Sequence, residues 1–465
     1  MVVPTDQLNE LFSDAYDKVT LPAYKPSSIG IAFKDDETVT KPVYSGKEPT
    51  LPFAKSSLFL ASIQASRRLT ALNDDCKSVY EITFDVQESN FEFRAGDTIG
   101  IIPQNNTLEV EAILNHLDLH SKADLTYTLS SDGSSKIASH IPISSTLRYV
   151  LINCVDIRSI VKKLFLLTLS KYTKNEKEKR VLEYLCSKEG SVMYNNYILN
   201  KNMCILDIFL QFKSCKPPIE ILLNNLNRLL PRPYSIVNSG IKHPHSIKIC
   251  FSVMEIANNR KGITTSWLEQ LILQETNLDE RMMQLNLDDY KERIPIYLRS
   301  NMSCFNLPES VETPLVLVGP GTGVAPFIGF LEEREIMMRN SNKKSDVWLF
   351  FGCRDPKLDY LYENALCDFV NKGVLTKLST AYSRVNGLEE KYVQDKILME
   401  GEHVVNLIQK GASIFVCGDV KTMATQVREA FIKCLCKYQN MNNETAEEFV
   451  KDLEKQKRYV VDVWS

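Results

Sequence analysis

The sequence predicts a β plus α/β architecture, in which a β-barrel interrupted by a helical insertion is followed by a doubly wound parallel sheet. Three observations predict it. Strand-like segments fill residues 53 to 106 and return after residue 230, with helical periods between them. From Pro314 onward strand and helix alternate at a spacing that calls for a parallel sheet covered on both faces. A chain of 465 residues is also too long for a single core, so several folding units are expected.

Composition narrows the function class. A hydrophobic content of 44% and a formal net charge of -3 are those of an ordinary globular protein. No block of like charge suggests a nucleic-acid or membrane partner. The opening MVVPTDQLNELFSDAYD is acidic and lacks an apolar h-region, and runs such as LFLLTL are far shorter than a bilayer span, so a cytoplasmic protein is expected. Twelve cysteines contain no C-x-x-C pair and read as reduced thiols. His243 and His245 flank a proline in what reads as a turn, and no metal site is expected.

In chain order, residues 1–52 are rich in Pro, Ser, Lys and Asp and read as a linker or hinge-like segment. LFLASIQAS, SVYEITFDV and FEFRAGDTIGIIP follow as strands, the last turning at Gly96 and Asp97. Helical periods occupy 107–230, in LEVEAILNHLDL, LRYVLINCV, IVKKLFLLTLSKY and IEILLNNLNRLL. RPYSIVNS and SIKICFSVMEI resume the strands, so 53–106 and 231–312 are assigned to one barrel and 107–230 to an insertion. Residues 313–465 alternate, with strands in PLVLVG, DVWLFFG, LTKLSTAY and ASIFVCG and a helix after each. The chain closes on RYVVDVWS, a final strand by its valines, in which Trp464 reads from these residues alone as a core plug.

Ligands of such sheets bind at the carboxyl ends of the strands, and that is where the unusual residues lie. GPGTG, Gly319 to Gly323, follows the first apolar strand and opens a helix. Its glycines admit a pyrophosphate to unpaired N–H groups, or simply turn the chain into the helix. After the third strand, Ser383 and Arg384 offer a hydroxyl and a donor fork suited to a 2'-phosphate, which predicts NADPH over NADH; a solvated arginine is the other reading. Lys391 and Tyr392 can complete that clamp. In RPYS, Arg232 and Tyr234 share a face and can pair with a pyrophosphate and stack on a flavin. KGITT offers a second phosphate-binding helix N-terminus, with capping by Thr264 or Thr265 as the alternative.

RPYS, GITT, GPGTGVAPFIGFLEER, FGCRDP, YSR, YVQ, VCGD and the terminal DVWS occur in an order that resembles the ferredoxin-reductase-like module of the diflavin reductases across residues 53–465. The insert segments LRYVLINCVDIRSIVKK, CSKEG and FKSCKPPIEILLNNLNRLLPRPYS are most similar to those of the methionine synthase reductase branch, and less to the microsomal NADPH-cytochrome reductases. The resemblance implies an FAD-binding barrel and an NADPH-binding sheet. It implies that Arg232, Pro233, Tyr234 and Ser235, with Gly262, Ile263, Thr264 and Thr265, bind FAD. It implies that Thr322, Ser383, Arg384, Tyr392, Val393 and Gln394 bind NADPH, with Arg67 a further candidate. Trp464 would then be a movable lid on the flavin, and Ser235, Cys417 and Asp462 the polar cluster at the hydride-transfer site.

Two features depart from the family. An acidic residue is common in the helix after VCGD, where this chain has Gln426. No Gly/Thr-rich phosphate loop of a flavodoxin-like domain occurs before residue 53. The resemblance therefore implies the first half of a relay from NADPH through FAD, with FMN supplied by a longer form or by a flavodoxin-like partner in trans. The implied acceptor is the cob(II)alamin of methionine synthase, reactivated by reductive methylation. The alternatives are a cytochrome reductase-like enzyme with another acceptor, or a non-enzymatic partner of methionine synthase that keeps the flavin fold as scaffold.

Overall fold

A computed structural model describes residues 19–24, 29–34, 41–73, 75–131, 133, 136–256, 260–282, 292–341, 343–419 and 422–464. The chain forms two compact units, Met1–Leu51 with Pro103–Pro231 and Met254–Leu268, and Pro52–Ile102 with Arg232–Val253 and Glu269–Ser465. Strands are numbered here in chain order.

The first unit is mainly helical. Helices Thr107–His116, Leu147–Asn153, Lys163–Ser170, Glu176–Cys186, Ile205–Gln211 and Ile219–Asn225 bury one stripe each. Val110, Leu114, Leu166, Leu182, Ile208 and Phe209 meet in a common core. Asn106 and Asn175 cap two of these helices by accepting from first-turn amides, which explains where those helices start.

Two corrections to the sequence reading fall here. Within the segment read as a linker, Ile29–Lys34 is strand β1, and the helical block contains β5 (Thr126–Ser131) and β6 (Ser144–Thr146). β1 pairs antiparallel with β5, and β5 with β6. Ile29, Ile31 and Phe33 alternate at period two and pack on the helical core, but polar flanks on both sides hid that short pattern. The unit also holds a two-stranded ribbon, β9 (Glu255–Ile256) with β10 (Arg260–Lys261), which leads into the first turn of helix Ile263–Met282.

The second unit contains the barrel and the parallel sheet. β2 (Phe59–Arg68), β3 (Val79–Asp85), β4 (Thr98–Ile101), β7 (Arg232–Ser235), β8 (Ser246–Ser252) and β11 (Ile294–Arg299) pair antiparallel in the order β7-β4-β11-β2-β3-β8. An antiparallel bridge from Ile236 to Ile249 joins the two outer strands, which closes the sheet as a barrel. Of the segment FEFRAGDTIGIIP only Thr98–Ile101 is strand, and the turn before it has Gly96 at φ +91°.

β12 (Leu315–Val318), β13 (Val347–Cys353), β14 (Lys377–Tyr382), β15 (Ser413–Asp419) and β16 (Tyr459–Trp464) form a parallel sheet in the order β14-β13-β12-β15-β16. The near-continuous apolar character of the central strands β12, β13 and β15 follows from burial on both faces. Leu315, Leu317, Leu349, Phe351, Phe415 and Cys417 enter one core, while Val316, Val318, Trp348, Phe350, Ile414 and Val416 enter another. Helix Ala325–Ser341 is buried over its first eleven residues. Among its polar members, Glu332 accepts from the Ser239 N–H at 2.9 Å and Lys242 Nζ at 2.8 Å. Among the described residues no helix is long and apolar enough to cross a membrane, and all twelve cysteines are free.

Candidate functional site

The carboxyl ends of β12, β13, β14 and β15 converge on a cavity of about 480 Å³. The Gly319–Gly323 loop forms one wall and coils directly into helix Ala325–Ser341. Two of its glycines are required by close approach: a Cβ on Gly319 would lie 2.5 Å from the Gly323 carbonyl oxygen, and one on Gly323 2.1 Å from the Cys417 carbonyl oxygen. The loop thus packs directly against β15, and the Gly319 and Gly323 N–H groups donate to the Phe350 and Pro320 carbonyls, each at 3.0 Å. Of the residues predicted for NADPH, Thr322, Ser383, Tyr392, Val393 and Gln394 line this cavity.

Arg384 and Arg67 are not among the lining residues. The Arg384 N–H donates to the Arg354 carbonyl at 2.9 Å, which sets the turn after β14. Arg67 pairs with Glu81 at 2.8 Å and stacks over the Tyr362 ring at 5.9 Å. Arg354, Lys77 and Lys391 bring positive charge to the lining, and Gln426 also faces it, accepting from Gln394 at 3.0 Å. Sequence reasoning missed Arg354 and Lys77. Arg354 follows β13 directly in FGCRDP, so the strand-end rule points to it; Lys77 precedes a barrel strand and has no local signal. The Asp359 carboxylate accepts from the Arg354 and Asp355 N–H groups at 2.8 to 3.1 Å and fixes that turn.

A second group lies where the barrel meets the sheet. Ser235 Oγ donates to Asp462 Oδ2 at 2.9 Å. Cys417 and Asp462 are paired in register across β15 and β16. Burial pushes the Asp462 carboxyl up, opposed by the Ser235 hydrogen bond and the charge of Arg299. Burial, followed by the Asp462 charge, holds the Cys417 thiol well above its ordinary value, so it stays protonated. Arg299 was missed from sequence. Register alone brings it into line with Thr98 and Ser235 across β11, β4 and β7, and its buried Nε has no hydrogen-bond partner. The Trp464 backbone pairs with Asp419 in the sheet, and its proposed lid role concerns a side chain outside the described residues.

Of the residues predicted for FAD, Arg232, Pro233, Tyr234 and Ser235 make up β7, and the Tyr234 ring packs edge-on to Phe251 at 6.2 Å. Gly262–Thr265 belong to the helical unit. There the Thr265 hydroxyl accepts from the Met254 N–H at 3.2 Å and donates to the Gly262 carbonyl at 3.4 Å. Thr264 Oγ1 is buried without a hydrogen-bond partner. A buried, unpartnered hydroxyl in the first turn of a helix fits an anionic group such as a pyrophosphate. The close-approach glycine loop and cation-lined cavity likewise fit a phosphorylated nicotinamide cofactor. Among the described residues no cluster of His, Cys, Asp or Glu could hold a metal ion.

Comparison with known proteins bears on both halves. Residues 51–267 match the family model described as FAD binding domain, and 317–429 that of the oxidoreductase NAD-binding domain. The chain is 35% identical to methionine synthase reductase of Rattus norvegicus over 90% of its own length and 62% of that protein's. It is 35% identical to the Homo sapiens methionine synthase reductase over 88% of its length and 61% of that protein's. With the NADPH–cytochrome P450 reductase of Sus scrofa the identity is 32%, over 91% of this chain and 60% of the relative. The chain thus spans about three fifths of the length of the curated relatives it matches. It carries FAD- and NADPH-binding oxidoreductase domains in a ferredoxin-reductase-like fold.

Proposed function

We propose that this chain, an NADPH-dependent flavin oxidoreductase similar to methionine synthase reductase, is the hydride-accepting half of an electron relay that serves methionine synthase. One observation carries the reading: residues scattered from Thr322 to Gln394 line a single cavity at the strand ends of a doubly wound sheet. Higher identity to the methionine synthase reductases than to the cytochrome P450 reductase favours that acceptor over a cytochrome.

When bound, NADPH supplies the hydride and FAD accepts it. The chain's residues do the rest. Thr322 and the glycine loop seat the cofactor's pyrophosphate, while Ser383 and Arg384 take the 2'-phosphate, with Tyr392, Val393 and Gln394 beside them. Arg67 is a further candidate for that binding. Arg232, Pro233, Tyr234 and Ser235 orient the flavin, and Gly262, Ile263, Thr264 and Thr265 receive its pyrophosphate. Asp462, held by Ser235, places negative charge where positive charge grows on the nicotinamide, Cys417 shapes the floor, and Trp464 covers the ring. Domain limits of 53–106 with 231–312 for the barrel, 107–230 for the insertion and 313–465 for the NADPH domain accompany this reading. A cytoplasmic location and an FMN module, on the same polypeptide or a separate flavodoxin-like protein, complete it.

The test is an anaerobic absorbance spectrum of the FAD-loaded protein before and after NADPH, repeated with NADH. Flavin bands that bleach fast with NADPH and slowly with NADH are expected. Bound flavin that NADPH leaves untouched would remove the hydride reading, and failure to retain FAD would favour the scaffold alternative.

A further inference from the structure

We propose that Arg158 and the Arg260–Asp207 pair are positioning residues for FAD: from the helical insertion they hold the Arg260–Lys261 dipeptide, and so set the helix N-terminus at Gly262–Thr265. The inference rests on the reading that this N-terminus receives the flavin's pyrophosphate. Arg158 grips Glu109 with two parallel bonds, Nε to Oε2 at 2.8 Å and Nη2 to Oε1 at 2.9 Å, and its Nη1 donates to the Lys261 carbonyl. One residue earlier, Arg260 donates through Nη2 to Asp207 Oδ2 at 2.7 Å and through Nη1 to Cys204 Sγ at 2.9 Å. The same Asp207 oxygen accepts from the Cys204 N–H at 2.9 Å, which ties the pair to the start of helix Ile205–Gln211.

These contacts are sheltered. Arg158 and Glu109 side chains are 13% and 19% exposed, and those of Arg260 and Asp207 19% and 13%. Each guanidinium is matched by a carboxylate and spends its fork on protein groups, so both act as holders and not as phosphate ligands. They are needed because the ribbon β9–β10 is only two residues per strand and cannot fix its own position. Gly262, which follows the held dipeptide, is tied back by its own N–H to the Met254 carbonyl at 2.8 Å. Two charged contacts from segments far apart in the insertion thus converge immediately before the turn that carries the unpartnered Thr264 hydroxyl. A phosphate cradle works only when its donors are held to a fraction of an ångström, and part of the insertion's role is to supply that hold.

The test uses the whole chain and two readouts: the FAD dissociation rate, and hydrogen exchange of the Ile263–Ser266 amides in the FAD-free protein. Arg158→Ala and Asp207→Asn are expected to speed FAD release roughly tenfold and to raise exchange at those amides, because the first leaves the sheltered Glu109 unpaired and the second removes the charge that holds the Arg260 guanidinium. Arg158→Lys, which cannot make the bidentate grip and the carbonyl bond together, should fall between wild type and Arg158→Ala. Arg148→Ala breaks an ion pair with Asp124 elsewhere in the insertion and should change FAD release by no more than about twofold. At saturating FAD the KM for NADPH should be unchanged in every variant. FAD release unaltered in both Arg158→Ala and Asp207→Asn, or accelerated equally by Arg148→Ala, overturns the proposal. If Arg158→Ala does not fold, Arg158→Lys and Asp207→Asn decide by the same criteria. A wild-type chain that never binds FAD would remove the parent reading alone, since amide exchange in the FAD-free protein still tests the clamp: unchanged protection in the variants would defeat it independently.

Discussion

Asp462 lies where burial opposes its charge, and that makes its role testable by pH. Its carboxyl is raised in the folded chain, so the protonated form is the one folding favours. The stability it contributes is complete below the unfolded carboxyl value and is lost as pH rises through the raised folded value. Where Asp462 is charged it therefore weakens the fold, a cost that fits the charge-stabilising role proposed for it in hydride transfer. Asp462→Asn is expected to hold or raise the Tm at pH 7 while slowing flavin reduction by NADPH roughly a hundredfold. Stopped-flow rates for the unaltered protein should fall on acidification with a midpoint above the usual carboxylate range, and the Asn variant should lack that limb. An Asn variant with the parent rate and the same limb would exclude the charge role. Ser235, Cys417 and Asp462 were legible from motif order, because each stands in a short pattern of its own. Arg299 was not, since only the pairing of β11 with β4 and of β4 with β7 aligns it with Ser235, and that register has no local signature.

Among elements, the Gly319–Gly323 loop shows how backbone geometry builds the cavity. A side chain at Gly323 meets the Cys417 backbone, which cannot swing aside because β15 is paired on both edges. Gly323→Ala is therefore expected to cost about 1–3 kcal/mol and to abolish NADP⁺ binding, read by thermal melting and by titration. Gly321 has φ +55°, but a Cβ there would meet no protein atom within 4 Å, so Gly321→Ala should cost only about 1 kcal/mol, as backbone strain. A Gly323→Ala protein that melts and binds like its parent would show that the loop need not pack so tightly. This half of the fold was readable because β12, β13 and β15 are apolar runs ended by glycine or a polar turn, with a helix after each. The strands of the helical unit were less so: β1 is six residues long in a polar stretch, and its partner β5 lies about a hundred residues on, beyond any window of periodicity.

At the scale of the whole molecule, Ser235 from a barrel strand donates to Asp462 from the parallel sheet, so the hydride-transfer site proposed here draws on both layers. Hydride delivers two electrons together, whereas the cobalamin acceptor proposed for this chain takes them singly. The two matched domains bind FAD and the nicotinamide cofactor, and the step down to single electrons toward a protein-bound acceptor is assigned here to an FMN module. The FAD-loaded chain is accordingly expected to reduce ferricyanide with NADPH at a rate that an added flavodoxin-like protein leaves unchanged. Reduction of cobalamin bound to methionine synthase should be slow with the chain alone and rise with the amount of that added protein. Equal cobalamin reduction with and without the FMN protein would mean that electrons leave FAD directly for the acceptor, and the relay would have to be redrawn with the exit at this chain's own surface.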